Sequence, residues 1–321
     1  MKTVLITGGL GYIGSNLANK LLKKKFKIII VDKLKDEKYL KLSKKVNFFK
    51  LNILNKKKLL KIFSENKIDF VIHLAASTSI TSSMKNPKQF YKNNVECTEN
   101  VVNACNKFNV KKLIFASSCA VYGKPKKEIV NEKSTLKPIS FYGFTKLEGE
   151  KIIKQKISKK KFIIMRFFNV AGSEKKKSGQ VYNNGQFIKT IIRNYLKKKM
   201  SVKIFGNKHH TDDGYCHRDF VNVNDITNFI IKMITNKKIN TNIINCGSGF
   251  GTSIIQIIKI LEKFIGLKFK IQLKKKRKGE IGSIVSNKNF FNNKIKKKEY
   301  INKILRQSLI WEEHLIKKKN G

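Results

Sequence analysis

The apolar residues of this chain fall into short runs that alternate with longer stretches of helical periodicity. The first run, Val4–Ile6, leads into a glycine-rich turn and then into a stretch with Leu17, Leu21 and Leu22 on one helical face. The pattern predicts further strands at 27–31, 46–51, 70–74, 112–116 and 162–167, and helices at 54–63, from Pro87 through Cys105, and at 147–157. This alternation predicts an α/β fold with a doubly wound parallel sheet.

The alternation becomes irregular beyond about residue 172. Two short apolar runs, Phe220–Val223 and Ile243–Asn245, are predicted to return to the sheet, and Asp225 is predicted to cap the helix that follows. A further amphipathic helix is expected at 253–264. The expected domains are a Rossmann domain, 1–171 plus about 216–246, and a smaller, irregular C-terminal substrate-binding lobe, about 172–215 and 247–321.

The turn after the first strand carries Gly8, Gly11 and Gly14. Glycines between a strand and a helix let the backbone approach a pyrophosphate, and the helix N-terminus supplies N–H donors. A tight structural turn is the alternative for the glycines taken alone. Asp32 ends the second strand, 21 residues past Gly11, where a carboxylate can accept from an adenosine ribose. Because a carboxylate repels a 2′-phosphate, the spacing favours NAD over NADP, although a solvated loop acid could stand at the same place.

Composition adds one unusual value, a net charge of +49 in 321 residues. The lysines form short runs at the ends of elements rather than one tail or one stripe, which indicates a chain-wide bias. A polyanion-binding surface is the alternative, but charge alone predicts non-specific attraction and no specific nucleic-acid partner.

Cysteine and histidine positions argue against a metal or a disulfide framework. The five cysteines are scattered, without a CxxC spacing, which fits a reducing cytoplasm. The five histidines lack metal-ligand spacing and are expected on surface loops, so no metal is predicted. Gly8 interrupts the apolar run near the N-terminus, and no apolar stretch reaches the length of about 18 residues of a membrane span. We therefore expect neither a signal segment nor a membrane anchor.

Three polar residues are predicted at the carboxyl edge of the sheet. Tyr142 and Lys146 are four residues apart at the start of a helix and share one face. A nearby ammonium would lower the pKa of the tyrosine, as a general base requires. Ser118, just past the strand at 112–116, could share a hydrogen bond with Tyr142 and a substrate. A Tyr-x-x-x-Lys pair alone could be an exposed pair of residues without a catalytic role, but the three residues together predict acid–base chemistry beside a dinucleotide.

Several motifs resemble those of the extended short-chain dehydrogenase/reductase superfamily. They are TGGLGYIGS near the N-terminus, HLAA at 73–76, SSCAVYG at 117–123, YGFTK at 142–146 and RFFN at 166–169. Within that superfamily, IFGNKHHTDDGYCHRDFVNVND at 204–225 and INCGSGFGTS at 244–253 resemble the UDP-glucose 4-epimerase family. The resemblance covers nearly the whole chain. It implies an NAD-dependent isomerase of galactose and nucleotide-sugar metabolism that works as a homodimer.

The resemblance also implies roles for individual residues. Tyr142 would remove the proton of the sugar 4-hydroxyl while hydride leaves C4 for NAD, Lys146 would hold the nicotinamide ribose, and Ser118 would steady the reacting oxygen. The 4-keto sugar would turn about its diphosphate and take hydride on its other face. The implied NAD contacts are Gly8, Gly11, Tyr12, Ile13, Gly14, Asp32, Asn52, Ile53, Leu74, Ala75, Ala76, Asn94, Ser117, Tyr142, Lys146 and Phe168.

The implied contacts to a UDP-sugar include a guanidinium, which suits a diphosphate through bidentate hydrogen bonds. They are Ser118, Tyr142, Asn169, Asn184, Phe205, Arg218, Arg277 and Glu280. The sequence departs from the family at four places: Asn52 replaces an aspartate, Thr78 a lysine, Lys278 a proline and Glu280 an aspartate. Arg277 is therefore carried over less directly than Arg218.

Three alternatives stay open at this point. The sugar could be N-acetylated or a pentose, since Ile284 falls near the position that sets the room for a 2-acetamido group. A nucleotide-sugar 4,6-dehydratase is disfavoured because Cys119 and Ala120 occupy the places of its acid pair. A non-catalytic, basic, RNA-binding Rossmann protein is disfavoured because it has no need of Ser118, Tyr142 and Lys146.

Overall fold

The computed structural model describes residues 1–34, 45–174, 178–181, 185–236, 241–276, 281–288 and 295–320. The chain divides into two compact units. The first comprises Met1–Gly123, Leu136–Phe167 and Ile226–Ile244, and the second Lys124–Thr135, Phe168–Asp225 and Asn245–Gly321. These bounds differ from the expected domains mainly at 124–135 and 216–225, which belong to the second unit.

The described strands, in chain order, are β1 Thr3–Thr7, β2 Lys27–Asp32, β3 Val46–Lys50, β4 Phe70–His73, β5 Lys112–Ser118, β6 Ile129–Val130, β7 Phe162–Phe167, β8 Asn169–Ala171, β9 Ser173–Glu174, β10 Ser178–Gly179, β11 Ser201–Phe205, β12 His217–Asn222, β13 Ile243–Cys246, β14 Gly251–Ser253, β15 Lys270–Lys274 and β16 Ser283–Ser286. The described α-helices are α1 Tyr12–Lys23, α2 Lys56–Ser64, α3 Ile80–Lys85, α4 Pro87–Tyr91, α5 Cys97–Lys107, α6 Phe141–Lys156, α7 Phe187–Leu196, α8 Val223–Thr235, α9 Ile254–Ile265 and α10 Lys297–Asn320.

The sheet of the first unit has seven strands in the order β13-β7-β5-β4-β1-β2-β3. The pairs from β7 through β3 are parallel, and Val4 of β1 lies opposite both Ile28 and Phe70. Strand β1 therefore lies between β2 and β4, where the strand order reverses and ligands of such sheets bind. The fully buried run Val4–Ile6 is what a strand covered on both faces requires. The predicted fold class is confirmed.

Two predicted segments of the first unit differ in detail. A short helix that was not predicted, α3, follows β4, and Ser79 caps it by accepting from Ser82 N at 3.2 Å. The long helix from Pro87 contains a π-helical turn, Lys92–Glu96, between α4 and α5. Helix α6 begins at Phe141, ahead of the predicted start at 147, with Ser140 as its cap.

The second unit contains its own sheet, with strand order β14-β12-β16-β6 and β8 paired to β12. The prediction that Phe220–Val223 returns to the first sheet is wrong, because β12 belongs here. A short apolar run has the same pattern in either sheet, so the sequence could not distinguish them. Asp225 is not the helix cap, because α8 begins at Val223; its carboxylate accepts from Tyr300 Oη at 2.7 Å.

Apolar side chains and one buried ion cluster hold the second unit together. Residues of α7, α9 and α10 form its core, among them Ile192, Leu261 and Ile304, all fully buried. Lys189 Nζ and Arg193 Nε both bind the carboxylate of Glu312, Arg193 at 2.7 Å. Across the described ranges, no helix combines the length and the apolar character that a membrane crossing requires.

Candidate active site and cofactor site

The glycine turn has the geometry that a dinucleotide needs. Gly8 has a φ of +69°, which favours glycine, and Gly11 occupies the N-cap position of α1 without a side chain. A Cβ at Gly14 would lie 2.4 Å from Gly8 O and 2.7 Å from the Cα of Gly9. The turn and the first helical turn are therefore packed backbone to backbone, and a helix N-terminus of this kind is a suitable site for an anion such as a pyrophosphate.

Asp32 stands directly beside this turn. Its Oδ2 accepts from Leu10 N at 3.0 Å and its Oδ1 from Leu34 N at 3.0 Å. Burial raises the pKa of Asp32, and these backbone bonds oppose the rise. A carboxylate oxygen keeps a second lone pair, so the residues present fit a dinucleotide with its ribose on Asp32.

Gly14→Ala is expected to lower the free energy of unfolding by roughly 1–3 kcal/mol, because the added methyl group meets backbone atoms that cannot rotate away. Gly11→Ala is the matched control, since its Cβ would contact only Gly8 O, at 3.1 Å. Urea unfolding of both variants measures the difference. Equal stability of the two would contradict the proposed packing.

The other predicted cofactor contacts of the first unit lie along the carboxyl ends of its strands or next to them. Leu74, Ala75 and Ala76 follow β4 and are half-buried, while Tyr12 and Ile13 open α1. Next to β3, the Oδ1 of exposed Asn52 accepts from Leu54 N at 3.1 Å, and the following Ile53 is buried. Their contacts to NAD stay predictions.

Asn94 is buried within the π-helical turn, and its side-chain amide is hydrogen-bonded to other residues of the chain. Its Oδ1 accepts from Ser77 N at 2.7 Å, and its Nδ2 donates to Ser77 O and to Thr145 Oγ1, both at 3.0 Å. Asn94 therefore ties the segment after β4 to α6. Its predicted place in the cofactor pocket is untested, but this bridging role was not foreseen.

The three predicted catalytic residues come together in the first unit. Ser118 is the last residue of β5, and its hydroxyl lies near enough to the half-buried Tyr142 of α6 to lower the pKa of the tyrosine. Ser118 Oγ also accepts from Ala120 N at 3.2 Å, where it caps the 3-10 turn Cys119–Tyr122. Lys146, one turn further along α6, is buried and donates to Ala116 O at 2.7 Å.

The expected effect of Lys146 on Tyr142 is not what the structure shows. Burial raises the pKa of Tyr142 to about 12, and the nearby Ser118 hydroxyl, which lowers the pKa, offsets only part of this rise. Burial also lowers the pKa of Lys146 to about 7. The Nζ atom of Lys146 lies 6.0 Å from the centre of the Tyr142 ring. The sequence predicted the proximity of the two residues but could not reveal the desolvation that opposes both charges.

His73, at the end of β4, is an addition that the sequence did not reveal. Thr98 Oγ1 donates to Asn94 O at 2.5 Å, so it accepts from His73 Nε2 at 3.0 Å. The Nδ1 atom of His73 then accepts from Thr7 Oγ1 at 2.7 Å. Burial, with help from the charge of Lys146, lowers the pKa of His73 from its ordinary 6.5 to about 3. A neutral His73 therefore links β1, β4 and α5.

The stability of the protein is expected to fall with acid because of His73. Its folded-state pKa lies below its unfolded value, so its contribution is present above pH 6.5 and is lost as the pH falls towards about 3. Between pH 6 and 4, the wild type should lose about 1.4 kcal/mol per pH unit more than His73→Asn. Urea unfolding across this range checks the slope, and parallel slopes would rule out a neutral buried His73.

The prediction that the histidines lie on surface loops is wrong for four of the five. His73 is buried in β4, His217 opens β12 and His314 lies in α10. His209 is buried, and its Nε2 lies 3.2 Å from Cys216 Sγ. All five cysteines are free. Within the described ranges, no three His, Cys, Asp or Glu side chains are placed to hold a metal ion.

The second unit carries several of the predicted contacts. Arg218 of β12 donates from Nη1 to the carbonyls of His217 and Gly282, at 2.8 and 3.1 Å, which fixes the direction of its guanidinium. Asn169 is exposed at the start of β8, and Phe205 ends β11. Phe168, predicted to contact the cofactor, is buried and donates from N to Cys246 O at 3.3 Å.

Three further predicted contacts and one departure lie outside the described residues. They are Asn184, Arg277, Glu280 and Lys278. Ile284, by contrast, is buried in β16 and lies opposite Arg218 in the parallel register of β12 and β16.

Asp219, next to Arg218, is a buried residue that motif matching did not single out. Its Oδ1 accepts from Ser248 N at 2.7 Å and Ser248 Oγ at 2.6 Å, and its Oδ2 from Gly249 N and Ser286 N, both at 3.0 Å. One carboxylate therefore connects β12, the segment after β13 and β16. Its position between an arginine and an apolar run gave only a weak sequence signal.

A parallel sheet with a glycine turn at its reversal point and a Ser, Tyr and Lys group at its carboxyl edge defines a dinucleotide-dependent enzyme. The chain belongs to the NAD dependent epimerase/dehydratase family, whose model matches residues 4–247. This confirms the family resemblance.

Within this family, the chain is similar to several UDP-sugar 4-epimerases. The UDP-glucose 4-epimerase of Lactobacillus helveticus is 34% identical over 294 residues, covering 88% of each chain. The solved UDP-Glc/GlcNAc 4-epimerase from Campylobacter jejuni is 31% identical with a TM-score of 0.80, covering 98% of this chain and 99% of that chain. The UDP-glucose 4-epimerase from Bifidobacterium longum, solved with NAD+ and UDP, is 25% identical with a TM-score of 0.85, covering 97% and 98%.

Proposed function

We propose that this protein is an isomerase that interconverts UDP-glucose and UDP-galactose with NAD as a resident cofactor. The observation that carries the proposal is the grouping of Ser118, Tyr142 and Lys146 at the edge of a sheet whose glycine turn fits a dinucleotide: Ser118 lies near enough to lower the pKa of Tyr142, and Lys146 is one helical turn away. Similarity to UDP-glucose 4-epimerases over most of the chain supports the choice of reaction.

The acid–base work falls to Tyr142. Its phenolate accepts the proton of the sugar 4-hydroxyl and later returns a proton to the same oxygen. Ser118, whose hydroxyl lies near that of Tyr142, orients the reacting oxygen between the two hydroxyls. Lys146 supplies an ammonium on the same helix face when it is protonated, which favours the phenolate.

Gly8, Gly11, Gly14 and Asp32 would hold NAD, and Lys146 would bind its nicotinamide ribose. When bound, NAD supplies a reversible acceptor for the hydride of C4, so the reaction has no net redox change. The chain's own contribution is to take one proton from the sugar 4-oxygen and later to return one to it.

Substrate recognition is assigned to the second unit. The guanidinium of Arg218, anchored on two carbonyls, suits bidentate pairing with a diphosphate. Asn169 and Phe205 complete the described part of this set, and Asn184, Arg277 and Glu280 are proposed from their motif positions. We propose no specific nucleic-acid partner for the lysine runs.

A second candidate substrate is a UDP-N-acetylhexosamine, because the Campylobacter jejuni relative is a UDP-Glc/GlcNAc 4-epimerase. Ile284, buried opposite Arg218, is the side chain whose size we expect to matter. Ile284→Ala should raise the rate on UDP-N-acetylgalactosamine relative to that on UDP-galactose. An unchanged ratio would remove Ile284 from substrate selection.

We infer further that the protein works as a homodimer in the cytoplasm. Apolar side chains of α3 and α6 are exposed, with Ile80 at 53%, Met84 at 61% and Phe144 at 37%, and a second copy could cover them. The free cysteines fit a reducing compartment. Light scattering on the purified protein measures its mass in solution and so tests the dimer. The double variant Met84→Lys with Phe144→Glu should be a monomer.

The decisive experiment is a coupled assay of the purified protein against UDP-galactose, UDP-N-acetylgalactosamine and UDP-xylose. We expect conversion of UDP-galactose to UDP-glucose without added NAD, and release of NAD when the protein is acid-precipitated. Conversion of UDP-xylose alone would make it a pentose epimerase. No turnover of any of the three sugars by NAD-loaded protein would contradict the proposal.

A further inference from the structure

The face of α6 that carries Tyr142 and Lys146 continues to a third ionisable residue. Glu150 follows Lys146 by four residues, so Tyr142, Lys146 and Glu150 lie along one face at successive turns. Glu150 has no exposed surface, and its partner Arg166 of β7 is 1% exposed. The mechanism above does not use either residue.

Glu150 and Arg166 form a bidentate pair. Arg166 Nε donates to Glu150 Oε1 at 2.9 Å and Arg166 Nη2 to Oε2 at 2.7 Å. Both oxygens of the carboxylate are thereby engaged in charge-assisted hydrogen bonds, the strongest kind available to a protein.

The same pair reaches the segment that carries Ser118. Ser117 Oγ donates to Glu150 Oε1 at 2.6 Å, and Arg166 Nη1 donates to Tyr122 Oη at 2.9 Å. Ser117 precedes Ser118, and Tyr122 ends the 3-10 turn that follows it. Both ends of this segment are therefore hydrogen-bonded to one ion pair, which joins α6 to β7.

Stability alone does not account for such a pair. Well-packed apolar residues of similar volume usually serve a buried core as well or better, because the desolvation of two charges offsets their attraction. A buried pair is informative when its charges or its geometry serve something nearby. Along α6, Glu150 is flanked by Lys146 one turn before it and by Lys154 one turn after it, and of these two only Lys146 is buried.

We propose that the Glu150–Arg166 pair is the positioning device of the active site. It holds the Ser117–Tyr122 segment against α6, and Glu150 supplies the negative charge that keeps Lys146 protonated. The inference rests on the acid–base roles proposed for Ser118, Tyr142 and Lys146.

The charged and titratable groups around Lys146 determine in which direction the loss of Glu150 would shift the pKa of Lys146. Tyr142 and Glu150 face it from α6 and His73 from β4, while Lys154 Nζ lies 3.7 Å from Glu150 Oε2 and Arg166 binds the same carboxylate from β7. Burial lowers the pKa of Lys146 to about 7, and the charge of Glu150 opposes that fall. His73 is neutral above about pH 3 and adds no charge near neutrality. Removal of the Glu150 charge therefore shifts Lys146 towards the free amine.

Glu150→Gln in the NAD-loaded enzyme tests the electrostatic part. Glutamine keeps the shape and an acceptor for Ser117 but removes the charge. In protein labelled with ¹³Cε-lysine, one lysine should titrate near neutrality and be absent from Lys146→Arg. We expect its midpoint to move down by about one pH unit in Glu150→Gln, a tenfold change in the protonation equilibrium. The basic limb of kcat against pH should move down with it.

Glu148→Gln is the matched control, since Glu148 lies on the same helix in a partly exposed pair with Lys151 at 2.7 Å. It should leave both midpoints unchanged. A Lys146 midpoint that stays in place in Glu150→Gln, or that moves equally in Glu148→Gln, overturns the electrostatic role. Because this titration needs no turnover, its failure is distinct from a failure of the proposed epimerase activity.

Ser117→Ala tests the positioning part. It leaves the charges of Glu150 and Arg166 in place but removes the hydrogen bond from Ser117 to Glu150, which anchors the residue next to Ser118. We therefore expect kcat to fall about tenfold while the pH profile and the KM for UDP-galactose stay unchanged. An unchanged kcat overturns that part. If Glu150→Gln does not fold, the double variant Glu150→Leu with Arg166→Met leaves no unpaired buried charge. The downward shift of the Lys146 midpoint must then appear in the double variant.

Discussion

Tyr142→Phe is expected to lower kcat for UDP-galactose by about 10³-fold, since positioned acid–base catalysis contributes roughly 10²–10⁴-fold. The change removes one oxygen atom from a half-buried ring whose hydroxyl lies near that of Ser118. Phenylalanine keeps the ring, so the packing of α6 and the bound NAD should be retained. The coupled assay gives kcat, and the ratio of NAD to protein after acid precipitation shows whether the cofactor site is intact.

Tyr91→Phe is the control for this substitution. Tyr91 lies in the same unit at the end of α4, with 40% of its surface exposed. It should keep the wild-type kcat. If Tyr142→Phe retained more than about a tenth of the wild-type rate, another group would have to move the proton, and the proposed mechanism would be wrong.

Asp219→Ala is expected to lower the free energy of unfolding of the second unit by about 3–5 kcal/mol, because several buried hydrogen-bond donors lose their acceptor at once. The carboxylate is fully buried and accepts four hydrogen bonds, three of them from backbone N–H groups. Alanine leaves these donors without their acceptor, each at a cost of about 1–3 kcal/mol before relaxation. Trp311, the single tryptophan, is buried in this unit, so its fluorescence in urea reports the loss.

Asp212→Ala is the matched control, because Asp212 is exposed in the same sequence block. Its unfolding midpoint should equal that of the wild type. The Asp219 variant should also bind UDP more weakly, since Arg218 is the adjoining residue of β12. A stability of Asp219→Ala within about 1 kcal/mol of the control would show that other groups satisfy the donors.

Local sequence determined the elements around the candidate site. Val4–Ile6 predicted a buried strand, the glycines after it predicted the turn, and Asp32 was predicted at the end of β2, where it lies. These features depend on neighbours along the chain, through periodicity and backbone freedom, so a pattern of residues is sufficient to reveal them. The spacing of Tyr142 and Lys146 likewise predicted their shared helix face.

Contacts between distant residues could not be read in this way. No spacing rule predicts that Arg166 binds Glu150, that Asp219 accepts from Ser248, or that β12 pairs with β16 rather than with the first sheet. The charge state of Lys146 was also out of reach, because desolvation depends on which residues surround a group in space.

The sequence by itself therefore determined the class of fold, the dinucleotide turn and the types of residue that can move a proton. Only the tertiary structure decided how those residues are held and charged. The physical reason is the range of the interactions: backbone turns and helix faces are set within a few residues, whereas burial, ion pairing and hydrogen bonds between strands join residues that are far apart along the chain.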